Sequence, residues 1–217
     1  EGLAPYFREH LRKIMTAEQP VKSKYPKWAR QKYYEDSLAW AVDPLFGWCN
    51  KNKKPDGTPY NLYTDGLKIH TTIDSRMQRY AEESVRDFLG GHIQPLFFKE
   101  KHGRKTAPYS TKTSKAQRDS ILQKAMRLTD RYQRMKAAGA TAAQIKEAFN
   151  TPVQMQVFDW EHGSKDTTLT PMDSIIYNKH FLRSGMMSID PKNGYVKAYV
   201  GGPDFRYFQY DMVSVGR

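Results

Sequence analysis

The side chains in this chain that could act on another molecule are mostly cations. Between Lys99 and Arg134 stand Lys99, Lys101, Arg104, Lys105, Lys112, Lys115, Arg118, Lys124, Arg127, Arg131 and Arg134, against Glu100, Asp119 and Asp130. The 217-residue chain as a whole carries a net charge of +12. Such an excess suits any polyanion, including nucleic acid, anionic lipid head groups and acidic cell-wall polymers, and charge alone does not choose among them. Lys101, Arg104, Lys105, Arg118, Arg127 and Arg131 are the candidate contacts. Lysines on a loop attract without imposing geometry, so such contact is expected to be nonspecific. A solvated helix face is the ordinary outcome for the same run.

Bond-making chemistry finds little here. A lysine that deprotonates a serine sits one helical turn away, at Ser-x-x-Lys. Ser110 with Lys112 and Ser114 with Lys115 have the wrong spacing, and no Ser-x-x-Lys occurs. Glu82 and Glu83 are adjacent on a helix and point apart, so they do not form an acid–base pair. His10, His70, His92, His102, His162 and His180 show no ligand spacing on a shared face. Cys49 is the only cysteine, which excludes an internal disulfide and a cysteine-based zinc site. No catalytic residue, metal site or cofactor is expected, and no substrate-binding residue is identified.

These groups must be positioned by a surface-rich chain: 39% of residues are hydrophobic and 27% charged. No stretch approaches the roughly 18 apolar residues of a membrane span, and no signal peptide opens the sequence. The stretch Gly66-Leu67-Lys68-Ile69-His70-Thr71-Thr72-Ile73 alternates and is β-branched, which predicts a strand. Asp74 or Ser75 offers an N-cap, Ser75-x-x-Gln78 fits a capping box, and Gly90-Gly91 is expected to stop the helix that follows. Near the other end, Met187–Ile189 and Val196–Val200 alternate across Asp190-Pro191-Lys192-Asn193-Gly194, which predicts a hairpin.

Between and around these signals the reading is coarser. Ala4 to Met15 reads as a helix with a first-turn proline and Phe7, Leu11, Ile14 and Met15 on one face. Residues 18–63 read as irregular and aromatic, with Trp40 and Trp48 as core anchors. Lys99 to Thr113 reads as a flexible basic loop. Ser114 to Lys136 reads as one long helix burying Ile121, Ala125, Leu128, Tyr132 and Met135, stopped by Gly139. Thr141-x-x-Gln144 opens a short helix with Ile145, Ala148 and Phe149 inside. Thr151 to Trp160 reads as a strand, 161–166 as a turn, and Thr170-Pro171-Met172-Asp173 as the start of a helix ended by Gly185. Helices around 114–149 in a basic chain raise the alternative of a helix-turn-helix that reads DNA. Against it, Thr141-Ala142-Ala143-Gln144 offers base edges little beyond Gln144 and Lys146.

The wording of the two strongest motifs adds a resemblance. Gly-Leu-x-Ile-x-Thr-Thr-Ile-Asp-x-x-x-Gln-x-x-Ala-Glu, from Gly66 to Glu82, resembles the interdomain junction of class A penicillin-binding proteins, the bifunctional peptidoglycan synthases. Ile-Asp-Pro-x-x-Gly-x-Val-x-Ala-x-Val-Gly-Gly, from Ile189 to Gly202, resembles the hairpin that opens their transpeptidase domain. Between them, Phe149 to Trp160 and Pro171 to Ile175 are similar to the insertion of the 1A-type branch. Ala-Pro-Tyr-Phe-x-Glu at 4–9 is similar to the segment after the glycosyltransferase domain. The likeness covers nearly the whole chain, most tightly over 61–89 and 149–212.

The resemblance implies an α+β fold of small linker units with a helical insertion and a β-hairpin. Its segments would be 1–65 (aromatic linker), 66–98 (strand–helix junction), 99–150 (basic helical insertion), 151–185 (strand and short helix) and 186–217 (first transpeptidase hairpin, ahead of the serine nucleophile). It implies a non-catalytic part of a parent that polymerises and crosslinks peptidoglycan on the periplasmic side of the inner membrane. The anchor and the glycosyltransferase signature would precede residue 1. Peptidoglycan precursors and strands would be partners through the parent, envelope proteins could dock, and no nucleic acid is expected. The abrupt Glu1-Gly2 start and the unclosed Val215-Gly216-Arg217 end agree with a fragment.

Overall fold

The computed structural model describes residues 2–214. The readings made on Glu1 and on Val215-Gly216-Arg217 lie outside the described residues. The architecture is α+β, with helices and two separate two-stranded sheets. The chain divides into two units, each assembled from two stretches: 1–78 with 187–200, and 79–186 with 201–217.

In the first unit, helix α1 (Pro5–Met15) starts on a proline and buries Tyr6 and Met15, with Phe7, Leu11 and Ile14 half-buried. Residues 18–63 are less irregular than their composition suggests, because α2 (Arg30–Val42) and α3 (Trp48–Lys51) form within them. Their aromatics are not the core: Trp40 and Trp48 are only half-buried, while Trp28 is 87% exposed. The buried residues of this stretch are the small ones, Ala29, Gly47 and Cys49.

Strands β3 (Met186–Ile189) and β4 (Val196–Val200) pair as expected. Their short connection excludes a parallel crossover, so the pair is an antiparallel hairpin. Asp190 holds its turn, accepting from the Lys192 backbone (3.0 Å) and the Asn193 side chain (3.0 Å). β4 buries Ala198, Tyr199 and Val200, and the Tyr199 ring lies 6.0 Å from Phe7 and 6.4 Å from His10.

The expected strand over 67–73 does not form. The segment meets β4 only at its end, where Asp74 N–H donates to Lys197 O (2.9 Å) and the Thr72 hydroxyl to Val196 O (2.7 Å). A β-branched sequence becomes a strand only with a ladder to join. Asp74 then caps α4 (Ser75–Ser84), its Oδ1 accepting from Arg76 N–H (2.9 Å) and Met77 N–H (3.1 Å). These bonds hold its carboxyl below the usual carboxylate range. The Ser75–Gln78 capping box is absent because Gln78 is used elsewhere. Its side chain is 0% exposed, donates to Tyr199 O (3.0 Å) and accepts from Tyr199 N–H (2.7 Å).

The helix does not stop at Gly90-Gly91. It widens into π-helical turns over Val85–Ile93 and continues as α5 (Gln94–Lys101). Gly90 serves close approach instead of termination: a Cβ there would stand 2.4 Å from the ring of Trp160. In α5, Gln94 is buried and repeats the chemistry of Gln78, donating to His180 O (2.9 Å) and accepting from Leu182 N–H (2.8 Å).

The rest of the second unit runs α6 (Lys115–Arg127), α7 (Asp130–Ala137), α8 (Ala142–Asn150), β1 (Val153–Asp159), β2 (Gly163–Leu169) and α9 (Pro171–Lys179). The long helix expected over 114–136 is broken because Thr129 caps a new start, accepting from Tyr132 N–H (3.3 Å), with Asp130 in the first turn. Leu128, at the break, is 82% exposed rather than buried. Gly139, at φ 78°, closes α7, and Ala140 N–H reaches back to Met135 O (3.0 Å).

β2 replaces the turn expected at 161–166, antiparallel to β1 from Val153↔Leu169 to Asp159↔Gly163. Thr170 caps α9 by accepting from Asp173 N–H (3.0 Å), and α9 ends at Lys179, before Gly185. Two apolar clusters are buried in this unit among the described residues. One is Met126, Ile145 and Phe149; the other is Phe158, Phe181 and Phe208, packed edge to face.

Two expectations follow for stability. Gln78→Ala removes the side-chain bonds that the buried N–H and C=O of Tyr199 receive, at about 1–3 kcal/mol each. Denaturant unfolding of the full chain should therefore show a loss of roughly 2–5 kcal/mol. Gly90→Ala and Gly91→Ala should differ in sign. The first overpacks against Trp160 and destabilises by about 1–3 kcal/mol. The second meets no atom within 4 Å and should gain a few tenths to about 1 kcal/mol from the unfolded chain. Equal melting temperatures for the two glycine variants would refute this account.

Candidate interaction surface

The six cations singled out in the sequence do not share one element or one helix face. Lys101 ends α5 with a side chain only 15% exposed; it pairs with Glu100 (3.1 Å) and lies over the Phe97 ring at 5.3 Å. Arg104 bridges the same Glu100 (3.3 Å). One carboxylate thus already faces two of the cations. Lys105 is exposed in the turns that follow.

Those turns over 102–113 are ordered by backbone bonds, including Ala107 N–H to Arg104 O (3.0 Å) and Tyr109 N–H to Thr106 O (2.9 Å). Tyr109 is half-buried, and burial raises the pKa of its hydroxyl. The stretch is therefore not the open loop that its lysines suggest.

α6 opens on a reciprocal capping box, with Gln117 N–H donating to Ser114 Oγ (3.2 Å) and Ser114 N–H to Gln117 Oε1 (2.8 Å). Arg118 donates from Nη1 to the Thr113 carbonyl. It is nine positions from Arg127, which at 3.6 residues per turn puts the two on opposite faces of α6. Arg131 stands exposed in the first turn of α7.

Histidines serve local structure. His162 approaches Asp159 (3.2 Å) in the turn between β1 and β2, and His180 Nδ1 meets Ile176 O (2.9 Å) at the end of α9. His92 packs on Phe88 at 5.5 Å. Asp159, Glu161 and His162 bring potential ligand atoms within 4.8 Å of one another, a grouping that histidine spacing alone does not reveal. The turn accounts for it, since Asp159 Oδ2 also accepts from His162 N–H (3.0 Å). Burial works against the Asp159 charge, but the His162 bonds and Lys165 outweigh it and hold the carboxyl below its ordinary pKa. Burial, with Asp65 nearby, pushes the Cys49 thiol pKa up, away from the reactive thiolate.

The helices over 114–149 spend their recognition chemistry internally. Ile145 and Phe149 of α8 are buried with Met126, against half-buried Tyr132, Met135, Ala140, Met172 and Ile175. The Gln144 side chain accepts from Thr141 N–H (2.8 Å) and the Thr141 hydroxyl (3.1 Å). Its amide is thereby tied to the helix start instead of being presented to base edges.

Residues 104–182, from the ordered turns through α6–α9 to the exit of α9, match the family model described as penicillin-binding protein middle domain. A penicillin-binding protein middle domain, an interdomain linker, is thus present in this region. That is consistent with a protein of the penicillin-binding family. The matched region lies wholly inside the second structural unit. No curated protein and no solved structure matches the chain. Among the described residues, no helix is long and apolar enough to cross a membrane.

Polyanion contact at this surface should depend on Arg104 and Lys105 more than on the half-buried Lys101. Replacing Arg104 and Lys105 together by Gln should weaken binding to dextran sulfate, while Lys101→Gln changes it little. Binding should fall steeply with added salt, as screening shortens the reach of exposed charge. Salt-insensitive binding, or preference for one DNA sequence, would contradict a nonspecific electrostatic surface.

Proposed function

We propose that this chain is the non-catalytic connector of a class A, 1A-type penicillin-binding protein, together with the first hairpin of its transpeptidase domain. One observation carries the reading: the middle-domain match at 104–182 falls between the junction-like motif at 66–82 and the hairpin-like motif at 189–202, in the family's order. The parent polymerises lipid-linked disaccharide units and crosslinks their stem peptides through a serine acyl-enzyme. It works on the periplasmic side of the inner membrane, held by an upstream anchor. The connector's work is mechanical, setting the separation of two active sites with small, independently packed units.

The reading requires that acylation chemistry be supplied elsewhere in the parent. A fluorescent penicillin should leave no denaturation-resistant label on the 217-residue chain. It should label a longer product of the same gene that extends to a Ser-x-x-Lys. Stoichiometric labelling of the 217-residue chain, or the lack of any Ser-x-x-Lys downstream, would overturn the proposal.

A further inference from the structure

The second unit contains a groove that the connector reading does not use. A cavity of about 490 Å³ opens among α6, α7, α8 and the start of α9. Its floor is made by Met126, Ile145 and Met172, which keep a small part of their surface in solvent, over the buried Phe149. Its rim carries Arg127, Lys136 and Lys146, and no carboxylate lines it. All three cations are exposed, and none is in a salt bridge. Elsewhere on the helical surface Glu100 pairs with its neighbours; among the described residues no carboxylate stands within ion-pair distance of these three.

Apolar floor and unpaired cationic rim together define a complementary ligand. It must place an apolar group against Met126, Ile145 and Met172 and carry negative charge at the edges. Leu128, next in the chain to the rim residue Arg127, lies outside the cavity lining and leaves 82% of its area in solvent. A small amphiphile held inside the cavity would leave Leu128 uncovered. A polypeptide laid across the groove would cover it, since apolar patches rimmed by charge are the usual seats of protein contact.

We propose that this groove docks an acidic segment of a partner protein, with an apolar anchor side chain on the floor and flanking carboxylates on Arg127, Lys136 and Lys146. The inference rests on the groove and is independent of the connector reading: penicillin labelling of the chain would leave it standing.

The test selects linear peptides from a displayed random library on the full chain. Selection is countered on a variant carrying Arg127→Glu, Lys136→Glu and Lys146→Glu, whose unchanged thermal melt shows that the fold is kept. Selected peptides should converge on Leu, Phe, Met or Trp flanked by Asp or Glu. Their affinity, read by fluorescence anisotropy, should drop more than about tenfold on the triple variant, as for desolvated charge pairs. It should also weaken with Leu128→Ser, and polyglutamate should bind more than about tenfold more weakly than the selected peptides. Three results would each overturn the proposal: no peptide that separates the chain from the variant, polyglutamate binding as well as the selected peptides, or saturable binding of laurate with no selected peptide competing.

Discussion

The side-chain amide of Gln78 is the contact on which the first unit depends. It presents N–H donors and a carbonyl acceptor in one plane, as peptide units do, and it bonds both the N–H and the C=O of the Tyr199 backbone. Among the described residues β4 has only β3 as a strand neighbour, so the glutamine stands where a third strand would otherwise bond. Buried backbone groups must be paired, and a two-stranded sheet cannot bury a strand without such help. Gln94 does the same for the backbone at His180 and Leu182 in the second unit, where no strand runs. Its Oε1 also accepts from the Trp160 indole at 3.4 Å, which brings the tryptophan ring over a helix that only glycine at position 90 can accommodate.

Those two glutamines also mark where the sequence stops being legible. Features decided within four residues read correctly: the Thr141 capping box, the Thr170 cap, the Gly139 stop and the Asp190–Gly194 turn. Each is a local hydrogen bond or a backbone conformation with one chemical solution. Features decided at long range did not. Gln78 fits a capping box on paper, but its side-chain amide bonds the backbone of Tyr199, 121 positions away. Gly90-Gly91 has the composition of a stop, but Trp160 needs the space. β2 reads as a turn because Gly163-Ser164-Lys165-Asp166 has turn chemistry, and only its pairing with β1 makes it a strand. Residues 67–73 have strand chemistry and lack the ladder.

The candidate surface was legible in charge and illegible in geometry. Counting lysines and arginines finds the basic region, but not that Glu100 faces both Lys101 and Arg104, or that Arg118 is spent on a carbonyl. Apolar periodicity finds Met135, Ile145 and Phe149, but not the break at Thr129 that leaves Leu128 in solvent. The family likeness depends on motif wording, and it is in the region between the two strongest motifs that the middle-domain match falls.

The division of the chain also bears on its synthesis. The first unit is completed by residues 187–200, and the whole of 79–186 is made in between. A ribosome releases residues 1–78 long before β4 exists, so Phe7 and Gln78 emerge without the strand they meet in the folded unit. Domains ordinarily fold as units from the N terminus during synthesis. Here the stretch 104–182 has its own helices, hairpin and one complete apolar cluster and can become compact while the earlier segment waits, with Phe208 of the second cluster still to come. Translation pausing inside 79–186 would prolong the exposure of that segment, whereas pausing after Val200 would not.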